Sequence, residues 1–81
     1  MSKTAYIILA DGFEETEAMG AWDALRRGGV EASFVSINEM TAVEGAHGLH
    51  FTADHTIDEI RNHPADAIAL PGGATGTENL Y

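Results

Sequence analysis

Acidic side chains crowd one short stretch of the chain, where Asp11, Glu14, Glu15 and Glu17 stand close together. Carboxylates at this density can do general acid/base work if one of them is held beside a reacting group. For Glu14 and Glu15 the plainer explanation is the partial positive charge at a helix N-terminus, which attracts acids that have no other duty. Glu17 differs from them. At ~100° per residue it lies beside Gly20, Ala21 and Ala24, a row of small residues that lets another backbone approach its carboxyl group. An acid pressed against such a surface loses hydration, which favours its neutral, hydrogen-donating form. Spacing alone leaves Glu17 open between that duty and a place on an ordinary helical face.

A second candidate is Pro71-Gly72-Gly73, which follows an apolar run. The backbone N–H groups of Gly72 and Gly73 have no side chains in their way and suit an anion or a developing oxyanion. An ordinary turn explains the same residues. No Lys-Ser/Thr follows to make a phosphate loop, and Asp11-Gly12 does not open a Gly-x-Gly-x-x-Gly fingerprint, so nucleotide binding has little support. His47-x-x-His50 resembles a metal pair, but residues three apart in a strand face opposite ways and converge only if the turn at Gly48 reorients them. No metal and no cofactor is expected. Trp22, on the apolar side of the same helical stretch, is read as core or interface packing.

The elements that would position these groups follow from hydrophobic period. Residues 5–10 (AYIILA) form an apolar run closed by Asp11-Gly12, which predicts a strand buried on both faces and hence a parallel sheet. Residues 13–27 switch to helical spacing, with Ala18, Ala21, Trp22 and Leu25 on one face, and Arg26-Arg27 followed by Gly28-Gly29 marks the stop. Residues 30–37 predict a second strand, and the three pieces make a βαβ unit. Residues 41–44 and 49–53, around Gly45 and Gly48, suit a small β-hairpin that leaves the sheet. Thr56-x-x-Glu59 matches a capping box, predicting a short helix that ends before Pro64, and residues 65–70 predict another buried strand. Asp11-Gly12 and Pro71-Gly72-Gly73 then both fall at strand carboxyl ends, where open α/β sheets bind ligands.

Composition narrows the classes. The chain has 81 residues, with 13 Asp plus Glu against 4 Lys plus Arg and no cysteine. A domain of this size buries only roughly 60% of its unfolded surface, so an independent enzyme is the less comfortable expectation. The net charge of −9 disfavours nucleic acid and anionic membranes as partners, since both reward Lys and Arg. Without cysteine there is no disulfide, no thiolate metal cluster and no thiol nucleophile among these residues. Met1-Ser2-Lys3-Thr4 and the short apolar run behind it do not make a signal peptide or a membrane span, and a cytoplasmic protein is expected.

Tyr6 to Glu17 (YIILADGFEETE), Gly28-Gly29, the stretch 48–54, and residues 65–73 (ADAIALPGG) with Gly76 and Asn79-Leu80 together resemble the ThiJ/PfpI family. The resemblance runs from about residue 4 to 80. It implies a flavodoxin-like three-layer α/β sandwich with a mainly parallel sheet and a small hairpin excursion, of which residues 1–81 are the N-terminal part of a single domain. The family includes protein deglycases, stress chaperones and intracellular peptidases. Its pattern implies a reactive cysteine on a strand-to-helix elbow beyond Tyr81, an acid at the place of Glu17 that hydrogen-bonds it, and backbone donors at Gly72 and Gly73. It also implies a homodimer, with Glu14, Trp22 and His47 as candidate interface residues. The expected activity is of glyoxalase III or deglycase type on reactive carbonyls or their adducts, with a redox-responsive chaperone or regulatory binding protein as the alternative and a cysteine peptidase as a weaker one. Lacking the cysteine, these 81 residues alone are expected to be inactive.

Overall fold

The computed structural model describes residues 3–72. The elements are β1 (Lys3–Leu9), α1 (Glu15–Arg27), β2 (Val30–Ser36), β3 (Ala42–Glu44), β4 (His50–Thr52), β5 (His55–Thr56) and β6 (Ala67–Ala69). β1 is apolar from Ala5 to Leu9, the part that lies between two neighbouring strands. β2 pairs with it from Lys3↔Val30 to Leu9↔Ser36, and β6 pairs along its other edge from Ala5↔Ala67 to Ile7↔Ala69, both in parallel. β5 pairs in parallel with the end of β2, giving the order β5-β2-β1-β6. Ile7, Leu9 and Ala10 are wholly shielded from solvent as a result.

α1 starts where the Glu14 carboxylate accepts the Thr16 N–H at 2.8 Å, an N-cap made by a glutamate. It stops where the Gly28 N–H bonds the Ala24 carbonyl and Gly29 takes a φ of +82°. Ala18, Ala21 and Leu25 lay the helix on the sheet, and Trp22 stacks on Phe34 of β2 with centroids 6.4 Å apart. Arg26 reaches past the Trp22 ring to donate to the Ala32 carbonyl at 2.8 Å, tying the last helical turn to β2.

The hairpin β3–β4 stands outside the sheet, as its residues predict, and pairs Val43 with Phe51. Phe51 meets Phe34 edge-on at 4.8 Å and Phe13 at 6.5 Å, so the excursion closes one end of the core. Ser36, fully buried, donates to the Met40 carbonyl and accepts the Asn38 N–H, which leaves its hydroxyl satisfied where β2 turns toward the hairpin.

Two expectations are corrected. The capping box at Thr56 forms, with the Thr56 N–H donating to Glu59 Oε1 at 2.7 Å and the Glu59 N–H donating to Thr56 Oγ1, but residues 57–62 make successive turns and no α-helix. Pro64 clashes with a helical carbonyl at residue 60 and biases His63 away from helix, so too few residues remain to repay nucleation. His55–Thr56 instead pairs with β2 as a short strand the sequence did not announce. The stretch 65–70, read as a buried strand, is paired only over residues 67–69 and is the edge of the described sheet, with Ile68 and Leu70 more than half exposed.

Candidate functional site

Parallel pairing sends the carboxyl ends of β1 and β6 to the same side of the molecule, and α1 begins there. The loop after β6 is tied to the helix start by the Glu14 N–H, which donates to the Gly72 carbonyl at 2.8 Å. One turn on, Glu17 faces the same glycine: a β-carbon on Gly72 would lie 3.0 Å from Glu17 Oε2 and 3.1 Å from Oε1. Only a residue without a side chain lets the carboxylate rest this close to the loop. Gly73, the other half of the expected backbone pair, lies outside the described residues.

The route by which Glu17 meets another backbone differs from the expected one. Gly20 and Ala24 are exposed and Ala21 half-buried, and nothing lies within 4 Å of a β-carbon built on Gly20. Within this row Ala21 packs against the core, and among the described residues no other backbone comes up to Gly20 beside Glu17. Gly72 approaches Glu17 from the strand side, while Glu17 itself remains exposed.

Glu14 and Glu15, one explanation in the sequence, have separate duties in the fold. Glu14 caps α1. The Glu15 carboxylate leaves the helix and accepts the His47 N–H at 2.7 Å, the Leu49 N–H at 3.4 Å and a bond with His47 Nδ1 at 2.8 Å. Its side chain is 14% exposed. Desolvation pushes the Glu15 pKa up, but the bonds from the His47 ring, from its own N–H and from the His47 and Leu49 N–H groups prevail and hold it at about 2. The same bond raises the pKa of His47, helped by the charges of Glu15 and then Glu14. Sequence reasoning missed this contact because no local pattern links a helix start to a turn in a distant hairpin; Gly45 between two short β-runs was its one trace.

His47 and His50 do not converge. His47 turns to Glu15, while His50 Nε2 lies 3.5 Å from Glu44 Oε1. Glu14, Glu15 and His47 do bring one ligand atom each within 4.8 Å of the others, but the Glu15 oxygens there already serve N–H donors. Asp11 Oδ1 accepts the Glu44 N–H at 3.1 Å and the Asn38 side chain at 3.3 Å, joining the β1 loop to β3. Beside it an open cavity of about 460 Å³ is lined by Asp11, Gly12, Glu44, Gly45 and Ala46. Trp22, 37% exposed, keeps one side on Phe34.

The model of the DJ-1/PfpI family matches residues 3–81. The chain belongs to the DJ-1/PfpI family. It is 37% identical over 79 residues to protein DJ-1 homolog A of Arabidopsis thaliana, covering 98% of this chain and 20% of that protein. It is 35% identical over 80 residues to protein dj-1beta of Drosophila melanogaster, covering 99% of this chain and 43% of that one. Among solved structures, a DJ-1 superfamily protein of Salmonella typhimurium, a cysteine-to-alanine mutant, superposes with a TM-score of 0.93 at 38% identity over 96% of this chain and 42% of its own. The flavodoxin-like α/β fold of the DJ-1/PfpI proteins is therefore that of this chain. The chain spans less than half the length of these relatives.

Proposed function

We propose that this segment supplies the acid and part of the backbone site of a cysteine-dependent DJ-1/PfpI protein that acts on small reactive carbonyls or their adducts, in the manner of a glyoxalase or deglycase. The observation that supports this most is the Glu17 carboxylate resting on Gly72 at the carboxyl ends of two parallel strands. The chemistry needs a thiolate, which a cysteine elsewhere in the whole protein would provide. The thiolate sulfur attacks the aldehyde carbon of a substrate such as methylglyoxal, the carbonyl π pair moves onto oxygen, and the thiol's proton is carried by Glu17 to that oxygen, giving a hemithioacetal. Backbone donors of the loop at Gly72 and Gly73 would stabilise the oxygen as charge develops.

A homodimer with Glu14, Trp22 and His47 near the contact, and a cytoplasmic location, belong to the same proposal. Among the described residues no helix is long and apolar enough to cross a membrane.

The test is methylglyoxal turnover by the whole protein, alongside suppression of aggregation of a client protein. Replacing the cysteine, or Glu17→Gln, is expected to abolish turnover. Turnover that survives the cysteine replacement rejects the enzyme mechanism, and loss of client protection without any turnover in the wild type favours the chaperone alternative.

A further inference from the structure

The first turn of α1 is held from two sides. On one side the Glu14 N–H bonds the Gly72 carbonyl at 2.8 Å. On the other the Glu15 carboxylate is gripped by the turn that links β3 to β4, through the His47 and Leu49 N–H groups and the His47 ring. The hairpin has other anchors, Gly12 N–H to the Glu44 carbonyl and Ala46 N–H to the Phe13 carbonyl, both at 2.8 Å. Those bonds tie the hairpin to the loop ahead of α1, whereas Glu15 ties it to the helix itself.

The seat for this carboxylate is specific. A β-carbon on Gly45 would fall 2.4 Å from Glu15 Oε2 and 2.5 Å from its carboxyl carbon. Gly45 does not have a positive φ, unlike Gly12, Gly29 and Gly48, so space and not backbone conformation requires the glycine there. It is buried, donates to the Leu49 carbonyl at 2.8 Å and accepts the Gly48 N–H at 3.1 Å, which keeps the seat closed.

We infer that Glu15 is a positioning residue: seated on Gly45 and held by His47 and Leu49, it fixes the first turn of α1 and thereby the placement of Glu17 against Gly72. The catalytic part of this inference rests on the function proposed above for Glu17 and Gly72. Gly45→Ala is the decisive variant, because it ejects the Glu15 carboxylate while leaving both the acid and His47 in the chain.

In the whole protein, Glu15→Ala and Gly45→Ala are each expected to lower kcat for methylglyoxal about tenfold with KM little changed, short of the ~100-fold that a full 1 Å misplacement can cost. The double variant is expected to be no worse than either single one, since both remove the same contact. Amide hydrogen exchange reads the positioning without the reaction: the Glu14 N–H, bonded to Gly72, is expected to exchange faster together with the His47 N–H in both variants. Unchanged Glu14 exchange overturns the inference whatever happens to kcat. So does full kcat in both variants of a protein that Glu17→Gln inactivates. If the wild type does not turn over methylglyoxal, the proposed reaction falls and Glu14 exchange alone decides, faster exchange supporting the positioning role and unchanged exchange overturning it.

Discussion

Gly45 and Glu15 fit together so closely that the glycine's missing methyl group is the space the carboxylate occupies, 2.4 Å from where a β-carbon would stand. The contact joins a helix start to a hairpin turn, and it raises the pKa of a third residue, His47. In Gly45→Ala the ring loses the Glu15 bond that raises its pKa, so His47 is expected to titrate closer to the ordinary value of 6.5. Proton NMR titration of the His47 ring checks this, and an unmoved titration would show that Glu15 is not displaced.

The same pair predicts a pH window. The Glu15 pKa is lowered from 4.5 to about 2, so its contribution to stability is complete above 4.5 and is lost as pH falls toward 2. The His47 pKa is raised above 6.5, so its contribution is complete below 6.5 and is lost as pH rises through the folded value. The hairpin is therefore held most firmly between about 4.5 and 6.5. Glu14 faces His47 as well and acts in the same sense, while Glu44 and His50 form a separate exposed pair across β3 and β4. Exchange rates of the His47 and Leu49 amides across this range are expected to pass through a minimum of opening that Glu15→Gln flattens.

Gly72→Ala separates a local effect from a global one. The new β-carbon meets both Glu17 oxygens at 3.0–3.1 Å, but Glu17 is exposed and its side chain can swing away. Stability is expected to change by within about 0.5 kcal/mol, since the backbone of Gly72 does not require positive φ. Turnover of methylglyoxal by the whole protein is expected to fall about tenfold or more through the displaced acid. Thermal unfolding and kcat measured on one preparation check both halves.

Phe34→Ala probes the junction of helix, sheet and hairpin. Phe34 stacks on Trp22 at 6.4 Å and meets Phe51 edge-on at 4.8 Å, with 6% of its surface exposed. Its removal is expected to cost about 3–5 kcal/mol, a large part of the stability of a domain, with the hairpin loosening first. Denaturant unfolding of the whole protein, followed by Trp22 fluorescence, measures the loss.

β1, α1 and β2 were legible within about two residues at each end, because a continuous apolar run and a helical stripe are written in neighbouring positions. The hairpin was legible from two glycines between short β-runs. The turns at residues 57–62 were not, since the capping box was genuine and only the cost of nucleating a helix in the few residues before Pro64 decided against one. Glu17 and Gly72 were each marked by residue type, one as an acid in a helical turn and the other as a side-chain-free position after a strand.

By itself the sequence determined a parallel βαβ unit, the acid-rich start of its helix and the glycines that follow β6, because propensity, period and turn chemistry act over a few neighbouring residues. Tertiary structure decided which of the acids does what. Parallel pairing of β6 with β1 put Gly72 beside Glu17, and folding the hairpin back put Gly45 under Glu15 and His47 within hydrogen-bonding reach of it. Contacts between residues this far apart along the chain depend on strand order and on the direction in which the hairpin folds, and local residue pattern specifies neither.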